Sequence, residues 1–435
     1  MIAPEWIGLI GVVVMLILLA LRMPIGIAML LVGAVGFAVL HGVQPALFML
    51  GSYPYGYAAV YELSVIPLFV LMGNIASVSG MGRDLYAAAY AWVGHWRGGL
   101  SSATIVSCAG FAAVCGSSVA SAVTMGRVCL PEMKRYDYDD RLATGTVAAG
   151  GTLGILIPPS TAFIVYAILT EESIGRLLLA GFLPGLLLTV LFVITISIWV
   201  RFRPELGPPG PLASRDERVK TLGRSGPMIV IVIATIGGIY VGVFTPSEAA
   251  AVGAFLALLW ALWRRTLDRK NLEFVLIESV KTTAFVFLIL IGALVFGPFL
   301  ALSGLPQQFA AWLTSFDVPA IVILSALMVL YIILGMFLEG FSILVLTLPI
   351  VIPIVEALGY DLIWFGVLMV ITLEMGLISP PVGINVFVVK GLVPDVPLGT
   401  VFAGIFPFWS AMVVALIILI AFPQIALFIP NTMIN

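Results

Sequence analysis

Long apolar stretches, separated by short polar segments, dominate this sequence. A helix needs about 20 residues to cross a ~30 Å hydrocarbon core. Apolar stretches of about this length predict ten membrane spans, at residues 6–22, 24–41, 63–79, 139–170, 173–200, 227–243, 246–263, 279–302, 360–391 and 396–428. The pattern therefore predicts an all-α polytopic membrane protein.

Two further apolar stretches, 99–131 and 318–356, are too long for one helix and are interrupted near the middle. Gly116-Ser117-Ser118 interrupts the first, while Gly335 and Glu339-Gly340 interrupt the second. We interpret both as re-entrant helical hairpins, which enter and leave the membrane on the same side.

An amphipathic segment precedes each hairpin, at residues 81–97 and 303–317. Both segments carry aromatic residues, among them Trp92 and Trp312, that suit the headgroup boundary. These segments are predicted to be interfacial arms that carry the hairpins.

Pro-Pro pairs interrupt two of the spans where a helix should run unbroken: Pro158-Pro159 in 139–170, and Pro380-Pro381 in 360–391. The pairs are 222 residues apart, and four further identities recur at that offset: Pro131 with Pro353, Tyr138 with Tyr360, Asp139 with Asp361, and Gly154 with Gly376. Paired helix breaks at corresponding positions of two halves are typical of the binding site of a secondary transporter.

The positive charges orient these elements. The polar linker 201–226 holds six Lys or Arg residues, so we expect it on the cytoplasmic side. The other clusters of Lys and Arg lie on the cytoplasmic side only if residues 99–131 enter and leave the membrane on the same side. Each half, 1–226 and 227–435, then holds five spans and one hairpin, which makes the halves inverted repeats and both termini periplasmic. The linker is predicted to be a flexible surface loop.

Composition supports a membrane protein and excludes several functions. Of 435 residues, 62% are hydrophobic and 10% charged, whereas soluble proteins carry about 25% charged residues. Residues 6–22 lack a basic start and a small-residue cleavage site, so we interpret them as a first span rather than a signal peptide. The three cysteines, Cys108, Cys115 and Cys129, lie in or beside apolar segments and are predicted to be packing residues.

An intramembrane enzyme would need a Ser-His dyad, paired aspartates on facing spans, or metal ligands. His41 and His95 are the only histidines, and both fall near span ends. A channel would not need two inverted broken-helix sites, and no P-loop is present for ATP. We therefore predict a secondary transporter that is not an enzyme and has no cofactor other than Na⁺ as coupling ion.

Broken helices in a membrane free backbone carbonyls, which protein, water or an ion must satisfy. Around the breaks and hairpin tips, glycines allow the backbone to approach closely, prolines expose carbonyl groups, and Ser and Thr supply hydroxyl oxygens. Such a set of oxygens suits Na⁺. For any single residue, the alternative explanation is tight helix packing. The predicted first Na⁺ site consists of Gly116, Ser117, Ser118, Thr152, Gly154 and Pro158. The second consists of Gly335, Gly340, Ser342, Thr372, Gly376, Ser379 and Pro380.

Ionisable residues at membrane depth are candidates for function. Glu339 at the second tip is expected to serve substrate or coupling, and Glu374 is a second candidate. Asp139 and Asp361 begin their spans, where helix capping is the better explanation. The predicted substrate set is Ser118, Ser160, Thr161, Glu339 and Asn385, with helix packing left open for Asn385.

Two long runs, residues 116–187 and 335–391, carry a family resemblance through GSSVASAVTMG, GILIPPST, GMFLEG and EMGLISPPVGINVF. They resemble the large membrane subunit of tripartite ATP-independent periplasmic (TRAP) transporters, DctM-like proteins, over essentially the whole chain. By that resemblance, the family's serine region at the hairpin tip corresponds to Gly116, Ser117 and Ser118. The family's first helix break corresponds to Gly154, Pro158, Pro159 and Ser160. Its second break corresponds to Gly376, Pro380, Pro381 and Asn385. Many relatives have Asp where this chain has Glu339.

The resemblance implies Na⁺-driven uptake of a small organic acid anion across the bacterial inner membrane by an elevator mechanism. It implies a small four-helix membrane subunit and a periplasmic substrate-binding protein as partners. The expected transport body is 99–170 with 318–391, and the rest is scaffold. The alternative is a standalone Na⁺/carboxylate symporter of the same broad architecture.

Overall fold

The computed structural model describes residues 3–316 and 318–433, and no β-strand occurs within these ranges. The first half contains α1 (Pro4–Ala20), α2 (Ile25–His41), α3 (Val43–Ala58), α4 (Val65–Val78), α5 (Met81–Val93), α6 (Gly99–Cys115), α7 (Ser118–Arg135), α8 (Asp140–Leu156), α9 (Thr161–Thr170), α10 (Ile174–Ala180) and α11 (Phe182–Phe202).

The second half contains α12 (Arg215–Val232), α13 (Gly238–Tyr240), α14 (Pro246–Trp263), α15 (Arg269–Ser303), α16 (Leu305–Thr314), α17 (Ala320–Gly335), α18 (Gly340–Ala357), α19 (Leu362–Leu377), α20 (Ile384–Leu392), α21 (Leu398–Ala421) and α22 (Gln424–Thr432). A π-helix at Ile233–Gly237 joins α12 to α13, and short 3₁₀ turns occupy Tyr61–Ser64 and Pro204–Leu206.

By length and composition alone, eight helical stretches within the described residues could each cross a membrane. They include the interrupted stretch Asp140–Thr170, where 83% of an 18-residue apolar segment is buried inside the protein. The buried share of the corresponding segment in Arg215–Tyr240 is 28%. The chain is therefore a multi-pass membrane protein whose interrupted helix lies deep inside the helical assembly.

In chain order, α4 is followed by the short amphipathic helix α5, by α6 and α7 with a tip between them, and by the interrupted helix α8–α9. Helix α15 is followed by α16, by α17 and α18 with a tip between them, and by the interrupted helix α19–α20. The two halves also contact each other. α2 packs on α15 as α14 packs on α4, and α9 packs on α18 as α20 packs on α7.

The predicted breaks and tips lie where the sequence places them. Residues 157–160 separate α8 from α9, and residues 378–383 separate α19 from α20; both Pro-Pro bonds are cis. The first tip is Gly116-Ser117 and the second is residues 336–339. Asp139 and Asp361 cap their helices, accepting hydrogen bonds from Arg141 N at 2.8 Å and Trp364 N at 2.9 Å, as expected for carboxylates at helix starts.

The prediction of a flexible loop at 201–226 is wrong. Leu206 is buried, Gly98 N donates to Gly207 O and Gly210 N donates to Gly94 O, both at 2.9 Å. Ser214 then caps α12, which runs from Arg215 past residue 226. The polar residues that predict a loop instead form a packed segment, followed by a helix with an N-cap serine and acidic residues in its first turn.

The apolar pattern predicts no span for residues 42–62, yet α3 occupies most of them. Its tyrosines and the internal Pro54 interrupt the apolar pattern that marks the other helices. One side of α3 still packs inward through Ala46 and Met49, which are buried, so tertiary contacts stabilise a helix that the pattern does not show.

The two amphipathic segments form α5 and α16, with Trp92 and Trp312 about half exposed. Residue 317, the last of the second predicted arm, and the terminal residues 1–2 and 434–435 lie outside the described residues. Two arginines fix α5: Arg264 Nη2 lies 3.2 Å from Asp84 Oδ2, and Arg218 Nε donates to Ala91 O at 3.1 Å. This arm is therefore attached to α12 and α14.

The closing helices of each half pack on the interrupted helices. α21 lies against α8, where Gly145 and Gly404 let the backbones touch, and α11 lies against α6 and α21. The three cysteines of α6 and α7 are buried in this region, as predicted for packing residues.

Candidate functional site

The first tip and the first break meet directly. Gly116 ends α6 with φ 66°, and a Cβ there would lie 2.7 Å from Pro159 O. Thr161 Oγ1 donates to Gly116 O at 3.0 Å. Gly154 faces the tip too, since a Cβ on it would lie 2.6 Å from Ser117 O. Glycine is required at both positions for this close approach.

Other residues of the predicted first Na⁺ site serve the local backbone. Ser117 caps α7 by accepting from Ala120 N at 3.3 Å, and Thr152 Oγ1 donates to Ala149 O at 2.6 Å. Pro158 lines a separate small cavity with Phe69 and Leu178. The structure thus groups Gly116, Ser117 and Gly154 tightly and leaves Pro158 on another side of the break.

Next to the second tip and the second break, α17 and α19 meet through two glycines. A Cβ on Gly335 would lie 2.9 Å from Gly376 Cα, so α17 and α19 touch backbone to backbone. Gly340 has open space around its missing side chain. Thr372 Oγ1 donates to Met369 O at 2.8 Å. Ser342, in the first turn of α18, is partly exposed, and Pro380 is exposed.

Residues from both halves line a single cavity of about 90 Å³. The polar members of its lining come from both tips and both interrupted helices: Ser117, Ser118, Thr161, Glu339 and Glu374. Apolar residues such as Ile155, Phe341, Leu373 and Leu377 complete the wall. Of the predicted ion-site residues, Ser117 and Ser118 from the first set and Gly340 from the second line this cavity.

Ser118 joins the halves by hydrogen bonds. Its Oγ donates to Glu374 Oε2 at 2.7 Å and accepts from Asn385 Nδ2 at 2.6 Å. All three residues are buried. Asn385 therefore lies behind Ser118, next to the cavity lining rather than within it, and its Oδ1 has no hydrogen-bond partner within the described residues.

Glu339 and Glu374 give the cavity its electrostatic character. Glu339 is the cap residue of α18, and its Oε2 is enclosed without a hydrogen-bond partner in the described part of the chain. None of the described lining residues is basic. Two carboxyl groups at one buried cavity repel each other unless a cation or protons neutralise them.

Ser160, predicted to contact substrate, has a structural position instead. Its Oγ caps α9 by accepting from Phe163 N at 3.3 Å, and it is fully buried outside the cavity lining. A serine that directly follows a helix break serves as the first cap of the resumed helix.

Sequence reasoning missed Trp409. Trp409 Nε1 donates to Ser379 Oγ at 3.0 Å, while Ser379 Oγ donates to Met375 O at 2.6 Å. No local pattern in α21 marks this tryptophan. Glu374, the second ionisable candidate from the sequence, is the one acid of α19 and is buried there.

Residues 12–425 match the family model described as tripartite ATP-independent periplasmic transporter, DctM component. The chain belongs to the DctM family. It is similar to the C4-dicarboxylate TRAP transporter large permease protein DctM of Pseudomonas aeruginosa, with 37% identity over 85% of this chain and 86% of that one.

A second relative is the sialic acid TRAP transporter large permease protein SiaM of Vibrio cholerae, 32% identical over 95% of this chain and 96% of that protein. Among solved structures, the YdaH transporter of Alcanivorax borkumensis matches with a TM-score of 0.66, covering 88% of this chain and 90% of that one. Its 16% identity shows a shared fold only. This DctM-family chain is thus a transporter permease subunit, as predicted, and not an enzyme.

Proposed function

We propose that this chain carries out Na⁺-coupled uptake of a small organic acid anion as the large permease subunit of a TRAP transporter. The observation that carries the proposal is the shared cavity, at which the tips and interrupted helices of both halves meet. The named relatives, a C4-dicarboxylate and a sialic acid permease protein, both take organic acids.

The cavity favours a cation as the coupling species. A cavity of about 90 Å³ has room for several waters, so hydrated or partly coordinated ions fit it. Glu339 and Glu374 supply negative charge, and Ser117, Ser118 and Thr161 supply hydroxyl oxygens. Oxygen-only donors of this kind suit Na⁺.

We propose that the substrate anion binds beside the ions once the cavity widens. Ser117, Ser118 and Gly340 are the predicted ion-site residues that line the cavity, and Ser118, Thr161 and Glu339 are the proposed substrate contacts there. Bound Na⁺ compensates the two carboxyl groups, so that an anionic substrate is attracted only after the ions.

The proposed movement is an elevator motion of the hairpins and interrupted helices, 99–170 and 318–391, between inverted halves. The packing of α21 on α8 and of α11 on α6 supports adding α10–α11 and α21–α22 to this body. The α2–α15 and α4–α14 pairs then form the scaffold, with α5 attached to it through Arg218 and Arg264.

The proposed partners are a periplasmic binding protein and a small four-helix membrane subunit, in the bacterial inner membrane with both termini periplasmic. The family description names a tripartite system of which this is one component. That match favours a permease subunit over a standalone symporter.

The test is uptake by liposomes that contain this chain together with the small subunit and the binding protein of its TRAP system. The labelled substrate is the ligand found on that binding protein. We expect an inward Na⁺ gradient to raise the initial uptake rate at least tenfold over equal K⁺. Equal uptake in Na⁺-free buffer, or uptake driven by a proton gradient alone, would contradict Na⁺ coupling.

A further inference from the structure

Asn385 lies at the start of α20, where the chain resumes a helix after the second break. Gly383, the residue before α20, has φ 61°, a left-handed conformation in which glycine costs little. Helix α20 packs on α7 of the first hairpin. Asn385 is fully buried and is not among the residues that line the shared cavity. Any role of its amide in that cavity therefore has to act through a neighbouring residue.

That neighbour is Ser118, which does line the cavity. Asn385 Nδ2 donates to Ser118 Oγ at 2.6 Å, and Ser118 Oγ donates to Glu374 Oε2 at 2.7 Å. A serine hydroxyl has one hydrogen and two lone pairs. Its hydrogen is held by Glu374 and one lone pair by Asn385, so one lone pair remains. That lone pair is what Ser118 can offer to a cation.

The amide of Asn385 is not explained by stability alone. Its Oδ1 is enclosed and has no hydrogen-bond partner in the described part of the chain. An enclosed acceptor without a partner costs free energy, which leucine, a side chain of similar size, would avoid. Asn74 makes the same kind of bond in α4, where its Nδ2 donates to Ser279 Oγ of α15 at 2.9 Å. Among the described residues, Asn74 leaves no enclosed atom unpaired, so this cost is particular to Asn385.

An amide is also the donor that suits the charge of this cavity. Glu339 and Glu374 are its two carboxyl groups, and none of its described lining residues is basic. A lysine or arginine at position 385 would supply a donor but also a positive charge, which repels a bound cation. An aspartate there would add a third carboxyl group close to two others. Asparagine orients Ser118 without any change in charge.

We propose that Asn385 is a positioning residue for the coupling ion. Its Nδ2 keeps the Ser118 hydrogen directed at Glu374, and the remaining lone pair of Ser118 Oγ is then available to the ion in the shared cavity. The inference rests on the Na⁺ coupling proposed above and deepens it. In this assignment the first ion site depends on a residue that follows the second break, so the site is complete only when α20 packs against α7.

The test measures Na⁺ binding by the purified full chain in mild detergent. Its unfolding temperature is followed as NaCl replaces KCl at constant ionic strength, which gives the half-saturating Na⁺ concentration without any uptake. The variants are Asn385→Leu, Ser118→Ala and the two together. Asn74→Leu is the matched control, because it removes the same kind of bond from amide to serine outside the shared cavity. Asn385→Ala takes the place of Asn385→Leu if the leucine variant does not fold.

For Asn385→Leu we expect the half-saturating Na⁺ concentration to rise about three- to tenfold, because Ser118 loses the donor that fixes it. Its unfolding temperature in KCl should not fall, since the variant also loses the unpaired Oδ1. Asn74→Leu should lower the unfolding temperature and leave the half-saturating Na⁺ concentration unchanged. In the Ser118→Ala background, Asn385→Leu should change that concentration less than about 1.5-fold, because Asn385 acts through Ser118.

Two results would overturn the assignment. One is an unchanged half-saturating Na⁺ concentration in Asn385→Leu with a lower unfolding temperature, which is the pattern of a structural bond. The other is an equal rise with and without Ser118→Ala, which means that Asn385 acts on its own. If Ser118→Ala no longer responds to Na⁺, the single variants decide. An unmodified chain whose unfolding temperature is the same in NaCl and KCl would contradict the Na⁺ coupling itself, and the role of Asn385 with it.

Discussion

Ser118 Oγ donates a hydrogen bond to Glu374 Oε2 at 2.7 Å across 256 residues of sequence. This bond connects the hairpin tip of the first half to the interrupted helix of the second. It therefore links Ser118, a residue of the predicted first ion site, to a buried acid of the other half.

The first prediction tests that bond. Ser118→Ala leaves Glu374 and Asn385 each without the hydroxyl they share, at a cost of about 1–3 kcal/mol for unpaired buried groups. We expect at least a tenfold lower uptake rate with normal membrane insertion. Ser107→Ala is the control, since the Ser107 hydroxyl bonds only to Ala103 O in its own helix. Uptake equal to that of the control would mean the bond is incidental.

The second prediction concerns Glu339. Glu339→Gln removes a charge from the cavity but keeps the side-chain size, so we expect uptake to fall at least tenfold while expression stays normal. Glu339→Asp keeps the charge and should retain more activity. The measurement is initial uptake rate against Na⁺ concentration. If Glu339→Gln transports at the unmodified rate, the carboxyl group has a structural role only.

A third prediction follows from Trp409. Trp409→Phe keeps most of the volume but removes the donor that holds Ser379 Oγ, worth about 0.5–1.5 kcal/mol. We expect the Na⁺ concentration for half-maximal uptake to rise about two- to tenfold, with a smaller effect on the maximal rate. Trp263→Phe, at a side chain 73% exposed, is the control. An unchanged Na⁺ dependence would remove Ser379 from the second ion site.

The fourth prediction concerns the contact of α17 with α19. Gly376→Ala places a methyl group 2.5 Å from Gly335 Cα, and overpacking of this kind costs about 1–3 kcal/mol. We expect a lower unfolding temperature and loss of uptake. Gly391→Ala is the matched control, because nothing lies within 4 Å of a Cβ there. Equal unfolding temperatures for both variants would show that the helices separate at little cost.

The fifth prediction tests the elevator motion at the contact of α4 with α6. A Cβ on Gly73 would lie 2.6 Å from Cys115 O. The Gly73→Val side chain should therefore clash with the hairpin and push it away from the proposed scaffold. We expect uptake to be lost while Na⁺-dependent binding persists. Gly297→Val in α15, where the added Cβ meets nothing within 4 Å, is the control. Normal uptake by Gly73→Val would argue against sliding at this contact.

The amino-acid sequence by itself determined the membrane class, the helix breaks at Pro158-Pro159 and Pro380-Pro381, the two hairpin tips, and the caps at Asp139 and Asp361. Each of these depends on local chemistry. Span length is set by hydrophobicity, proline cannot continue a helix, and a carboxylate at a helix start finds free backbone N–H groups. The same local patterns carried the family resemblance.

Tertiary structure alone decided which residues meet. The repeat paired each tip with its own break, but packing brought Ser118, Glu374 and Asn385 together from both halves and attached Trp409 to Ser379. It also ordered the 201–226 linker against Gly94 and Gly98, and made a helix cap of Ser160. These contacts join side chains on helices that are distant in sequence. Their distances depend on how whole helices pack, which no local pattern encodes.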